Sequence, residues 1–428
     1  MIDKKTSDLD ISSLEALVPL GLIGQGIDLA DAEITAGGLC PLRISWSEKG
    51  ISSLQPIETP SNSSLNFILP RFVETHAHID KAFTWKNYPN LDGTYIGAFE
   101  ANIKEHQCRT EQSVFFNAET SLKLSIRNGF RAIRTHIDSF GPFADFTWEV
   151  IAELQKKWAQ FIHLQLVAMV PLDYWMTEEG KKMAKKVANK GGLLGGVLAP
   201  PFNSVHAKNC LRTLFNLANS LGCGIDLHID ESQSYPAAGL NQLINALDHI
   251  HLEVPITCSH LSNMSLLSDR SMNFFSDRLA HHQVNVVALP LTNAWLLGRV
   301  EAKTPLKRPM APIAQLQRAG VNVAIGGDNV QDPWFPGGNF DPLSLIASSM
   351  PITQLRPWTR LGLAPFTTAA ARLMNLEWDC TFEVGGSADF IVLEAENWSE
   401  VLSCSAQRKV IIRGSILEDQ LFDCVSSK

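Results

Sequence analysis

The chain has 428 residues, of which 45% are apolar and 19% charged, and a formal net charge of −8. That is the composition of an ordinary globular protein, with no basic surface to offer a nucleic acid. No uncharged apolar run approaches the roughly 18 residues a membrane span needs, and the opening MIDKKTSDLDISS resembles neither a secretion signal nor a transit peptide.

Residues 1 to about 68 hold short strand-like runs such as CPLRISWS, separated by Gly, Ser and Pro. Eight apolar strand-type runs then follow one another. They are NFILPRFVETHAH, FRAIRTHID, FIHLQLVAMV, GGLLGGVLAPPF, GIDLHIDES, VPITCSHL, VNVVALPLTN and VNVAIGGDN. With His76, His136, Gln165, Pro200, His228, His260, Leu289 and Asp328 as markers, the intervals are 60, 29, 35, 28, 32, 29 and 39 residues. A strand with its returning helix takes roughly 30 residues, so the rhythm is that of repeated βα units. SVFFNAETSLKLSIRNG and TEEGKKMAKKVANKGG read as helices, the second with its lysines, Lys181 to Lys190, on a solvated face. The glycines of GGLLGG mark turns entering a strand. The 60-residue first interval implies a long loop, DKAFTWKNYPNLDGTYIGAFEANIKEHQC, expected as a substrate wall or a surface hairpin.

From about 376, SADFIVLEAE and RKVIIRGSIL are again strands with turns. The expected architecture is therefore a (β/α)8 barrel over 69–375, with a small β domain built from 1–68 and 376–428. The eight cysteines are scattered singly and form no C-x-x-C pair. They are read as reduced, mostly buried thiols of a cytoplasmic protein.

In a strand, residues i and i+2 share a face, so His76 and His78 can both point into a barrel. Such barrels gather their active sites at the carboxyl ends of the strands, where later strands add His228, His260 and Asp328. Three imidazoles and a carboxylate suit one Zn2+ or Fe2+ with a position left for water. A buried histidine alone is usually a core residue, and His136, His163, His249 and His251 are read that way.

The motifs HAHID, RTHID, LQLVA, LHIDES, CSHL, PLTNAWLLGR and GGDNVQDPWFPGGN, in this order, resemble the cytosine-deaminase-like group of the amidohydrolase superfamily. The resemblance covers nearly the whole chain, and with GGSADFIVLEAEN it implies that the terminal β domain is a small β-sandwich. It implies His76, His78, His228 and Asp328 as metal ligands and Glu231 as proton shuttle. His260 would steady the hydroxide and the tetrahedral centre, and Asp328 would take the remaining proton. It also implies hydroxide attack on an amidine-like carbon of a small nitrogen heterocycle, with release of ammonia. No lysine lies in IHLQLVAMV, which favours one metal over a carboxylated-lysine pair.

Gln165, Trp334, Lys81 and Asn329 are the expected substrate contacts. Asn329 departs from the second aspartate that cytosine-specific relatives carry, and Asp80–Lys81 looks closer to relatives acting on triazines or N-substituted rings. Two other activities remain open: expulsion of an alkylamine from an N-alkyl triazine, and a non-catalytic scaffold on the same barrel. The expected partner is a small heterocycle, neither nucleic acid nor membrane, with homo-oligomer formation left open.

Overall fold

The computed structural model describes residues 3–5, 11–30, 32–58 and 64–418. The chain divides into two compact units, one of Glu74–Leu122 and Ala132–Phe340, the other of Met1–Val73, Lys123–Arg131 and Asp341–Lys428.

Eight parallel strands form the barrel sheet in chain order: β1 (Phe72–Ala77), β2 (Phe130–Asp138), β3 (His163–Met169), β4 (Leu193–Leu198), β5 (Ile225–Ile229), β6 (Ile256–His260), β7 (Asn285–Ala288) and β8 (Val323–Ile325). Every residue of β1, β5, β6 and β8 is buried. That continuous burial is what helices covering a parallel sheet demand. The ring closes just past β8, where Asp328 N–H donates to His76 O at 2.9 Å and Ala77 bridges Asp328 in parallel.

The helices between strands include α1 (Tyr95–Gln107), α2 (Glu111–Asn128), α3 (Ala144–Trp158), α4 (Glu178–Asn189), α5 (Ser204–Leu221), α6 (Ala238–Leu247), α7 (Asp269–His281) and α8 (Pro290–Leu296). In α4, Met183, Ala184 and Val187 are buried, while Lys181, Lys186 and Lys190 pair with Glu178, Asp145 and Glu149. The lysine run is a solvated helix face, as expected.

Three local expectations need correction. NFILPRFVETHAH is two strands: Asn66–Pro70 pairs with Phe390–Leu393 in the second sheet, and β1 begins after Arg71. Proline has no N–H to carry a ladder onward, and the buried Arg71 guanidinium at the crossing binds Asp389 at 3.0 Å. PLTN is the start of α8, so Asn293 is helical. In GGLLGG, Gly191 (φ 67°) makes the turn, but Gly195 lies inside β4. A Cβ there would stand 2.5 Å from Ala168 O and 2.9 Å from Asp226 O, so that glycine serves close strand approach.

The second unit carries an eight-stranded sheet from both ends of the chain. Its order is Ser415–Ile416, Arg408–Ile412, Phe390–Leu393, Asn66–Pro70, Ile11–Pro19, Leu39–Ser47, Gly50–Pro56, with Asp3–Lys5 paired to Ile11–Pro19. The sheet curls over itself. Trp46, three strands from Phe390, meets that ring edge-on at 5.1 Å, and its indole N–H donates to Gly414 O. Among the described cysteines, five are buried, Cys404 is half-buried and Cys108 is exposed. Cys424 lies outside the described residues.

Candidate active site

His76 and His78 stand at the carboxyl end of β1, His228 on β5, His260 at the end of β6 and Asp328 just past β8. Candidate ligand atoms of His76, His78 and His228 all lie within 4.8 Å of one another. Asp328 Oδ1 lies 3.6 Å from His76 Nε2 and 3.2 Å from His78 Nε2. His260 and Asp328 both sit at positive φ, 73° and 63°. L-residues avoid that region at a cost of order 1–3 kcal/mol, and such strain gathers at functional sites.

The cluster is built to keep nitrogen lone pairs free. His76 Nδ1 lies 3.0 Å from Ser259 Oγ, and Ser259 donates to Asp226 Oδ1 at 2.9 Å. A carboxylate only accepts, so the Ser259 proton goes to Asp226 and its oxygen takes the proton of His76 Nδ1. His76 Nε2 is left unprotonated; among the described residues it has no hydrogen-bond partner, although fully buried. Asp226 is in turn held by Arg134 at 2.7 Å. A buried polar atom without a partner is costly, and a divalent cation held by these residues would relieve that cost. Burial first, then the neighbouring imidazoles, lowers the pKa of His76 and His228. Both are therefore neutral, the form that ligates a metal.

Glu231 follows in the same loop. Asp230 (φ 55°) turns its carboxylate back to accept from Gly239 N and Leu240 N at the start of α6. Glu231 is left to face the cavity, 9% exposed. Burial, then Asp328, pushes its carboxyl well above the ordinary range, against the Tyr95 hydrogen bond and Lys81. His260 Nδ1 lies 3.7 Å from Glu231 Oε1 and contacts the Asn293 amide at 3.0 Å. Burial brings His260 down to about 4, with Asp328 opposing.

The cavity over these groups measures about 640 Å3 and is lined by Lys81, Asn329 and Trp334 among others. Lys81 is 2% exposed and donates to Asp138 at 3.3 Å. Burial opposes its charge, but Asp138, Asp80 and Asp332 outweigh that and hold its pKa above the ordinary value. Asn329 donates to Asp332 Oδ2 at 2.7 Å, which leaves its carbonyl oxygen as the free acceptor. Trp334 donates to Asn102 at 3.2 Å and meets the Tyr95 ring at 5.1 Å.

Gln165 is not at the site. It is the third residue of β3, far from the carboxyl end at Met169, and its side-chain oxygen accepts from Arg134 Nε at 2.7 Å. The loop after β3 instead brings Leu172 and Asp173 to the cavity. His136 is buried as expected, stacked on His76 at 3.9 Å beneath the cluster, but His163, His249 and His251 are exposed.

Three features are not foreseen from the residue order: the Ser259–Asp226–Arg134 chain, Tyr95 Oη 3.4 Å from Glu231 Oε2, and Arg109. Arg109, just past α1, binds Asp80 at 3.0 Å, Asp138 at 2.9 Å and Glu105 at 2.6 Å, all buried. It accounts for Asp80, whose carboxylate anchors the chain leaving the long first loop. That loop is a helical wall, since α1 turns Tyr95, Phe99 and Ile103 into the cavity.

A parallel eight-stranded barrel with a histidine–carboxylate cluster at its carboxyl end, able to hold a metal, is an arrangement that suits metal-dependent hydrolysis. The chain belongs to the Amidohydrolase family, whose model matches residues 132–418. It is 29% identical over 361 residues to the pterin deaminase of Rhizobium rhizogenes (strain K84 / ATCC BAA-868), covering 83% of this chain and 82% of the relative. To the N-isopropylammelide isopropyl amidohydrolase of Pseudomonas sp. (strain ADP) it is 23% identical over 365 residues, covering 83% and 87%. Among solved structures, 5-methylcytosine deaminase from Klebsiella pneumoniae superposes with a TM-score of 0.79 at 21% identity, over 95% of this chain and 98% of that one. That likeness is one of fold.

Proposed function

We propose that this chain is a metal-dependent hydrolytic deaminase of small nitrogen heterocycles, acting on an amidine-like carbon and releasing ammonia. The observation that carries it is the convergence of His76, His78, His228 and Asp328 below a cavity that Glu231 and His260 also face. His76, His78, His228 and Asp328 would hold one divalent cation, zinc or ferrous iron. When bound, such a cation supplies Lewis acidity, which brings the pKa of water to about 7.

Glu231, whose carboxyl burial pushes above the ordinary range, exchanges a proton between the attacking water and a ring nitrogen, and so makes the carbon beside that nitrogen more electrophilic. His260 is neutral at pH 7, and its imidazole steadies the oxygen as the carbon becomes tetrahedral. Asp328 accepts the last water proton and passes it to the amine, which leaves as ammonia. Lys81 and Asn329 read the ring edge, one as a cation, the other through its carbonyl oxygen. Trp334 packs against the ring face. The buried thiols fit a cytoplasmic setting.

The same residues would serve to expel an alkylamine, the activity that the Pseudomonas relative is named for. Scoring ammonia and amine release separately across pyrimidines, pterins and triazines distinguishes the two. The role of Glu231 is tested by Glu231→Gln, which is expected to retain stoichiometric metal while kcat falls by about 10²–10⁴-fold. Near wild-type turnover in that variant would remove Glu231 from the proton path.

A further inference from the structure

The cavity has buried polar groups and, at its mouth, exposed apolar side chains. His78, Lys81, Glu231 and Asp328 are buried at its floor. Toward solvent, separate elements bring apolar side chains to the walls, Phe99 and Ile103 of α1, Phe140 after β2 and Phe202 before α5, and the buried Leu172 after β3 lines the cavity with them. Phe99, Ile103 and Phe140 remain 52%, 40% and 38% exposed. Polar side chains line the mouth as well, Gln107 among them, and several have neighbours of their own. Asn102 accepts from Trp334, Asp173 lies 3.7 Å from His206, and His106 stacks on Phe140 at 5.6 Å.

A single heterocycle seated over Glu231 and the histidines occupies only the floor. A cavity of about 640 Å3 falls in the range that encloses a drug-sized ligand, and such pockets bury most of the ligand's surface. A bare ring would leave water against three half-exposed apolar side chains.

We infer that the substrate is a two-part molecule: an aminated heterocycle carrying an aryl-sized apolar substituent on the edge remote from its amino group. The substituent packs between Phe99, Ile103, Phe140 and Leu172. The inference rests on the deaminase reading, and it names the class of substrate that the site selects. Burying a phenyl group is worth on the order of tenfold or more in affinity.

The test compares pterin with 6-phenylpterin on metal-loaded enzyme, measuring ammonia release and, separately, binding by quenching of pterin fluorescence. The expected kcat/KM for 6-phenylpterin exceeds that for pterin by about tenfold or more. In Phe99→Ser and Phe140→Ser, both at exposed positions where loss of fold is not expected, that ratio falls toward one. A wild-type ratio near or below one, or a ratio that neither substitution moves, overturns the inference.

If neither compound releases ammonia, deamination fails for this ring, and the vestibule is judged on binding alone. Tenfold tighter binding of 6-phenylpterin, lost in the serine variants, still supports it; equal binding of the two pterins overturns it.

Discussion

Ser259 touches no part of the cavity, yet its hydroxyl decides which nitrogen of His76 is free. Ser259→Ala leaves the Nδ1 proton of His76 without its acceptor, and metal affinity is expected to fall about 10–100-fold. Competition with a chromogenic chelator measures this, and an unchanged affinity would mean that the tautomer is set elsewhere. For Asn329, a carboxylate in its place would stand beside Asp332, which burial already raises to about 6 against Lys81. Two close carboxylates disfavour double ionisation. Asn329→Asp is therefore expected to reorder relative kcat/KM among ring substrates; the same ranking in both proteins would show that this position reads no substrate edge. The placing of His76, His78, His228, His260 and Asp328 is legible in the sequence because strand ends announce themselves by a polar residue after an apolar run, whereas Glu231 is singled out only by the family resemblance. Gln165 misleads for the same reason, since it is a polar residue inside a run whose true end is Met169. Ser259 and Asp226 meet only through the β5–β6 pairing, which no local pattern reveals.

At the scale of elements, α1 and the Arg109 network hold the wall in place. Arg109 contacts three buried carboxylates, and Arg109→Met would leave Asp80, Glu105 and Asp138 without their shared cation. Breaking a buried pair in this way costs about 3–5 kcal/mol, read by urea unfolding; a loss below about 1 kcal/mol would show that Lys81 and solvent compensate. The network also carries a pH signature. Burial alone would raise Asp138, but Lys81 and Arg109 hold it well below the ordinary range. Its contribution is then full above the unfolded value of about 3.9 and is lost as pH falls through the lower folded value. Asp138→Asn is expected to flatten the acid limb of stability against pH, and an unaltered limb would contradict that assignment. The βα rhythm makes the strands legible, whereas the break at Pro70–Arg71 depends on a buried partner, Asp389, more than 300 residues away.

At the scale of the whole molecule, the long first interval and the strands at both ends show in the sequence as departures from a regular rhythm. What they build is set by tertiary pairing: a helical wall over the cavity in one unit, a curled sheet joining both ends of the chain in the other. In the proposed reaction, His76, His78, His228 and Asp328 hold a cation without which the cavity performs no deamination. The direct measurement is metal content, together with ammonia release from a panel of aminated rings, in protein purified without chelator. On the proposed function, about one divalent ion per chain is expected, with ammonia release abolished by its removal and restored by zinc or ferrous iron. Stoichiometrically metal-free protein that releases ammonia at the full rate would contradict it.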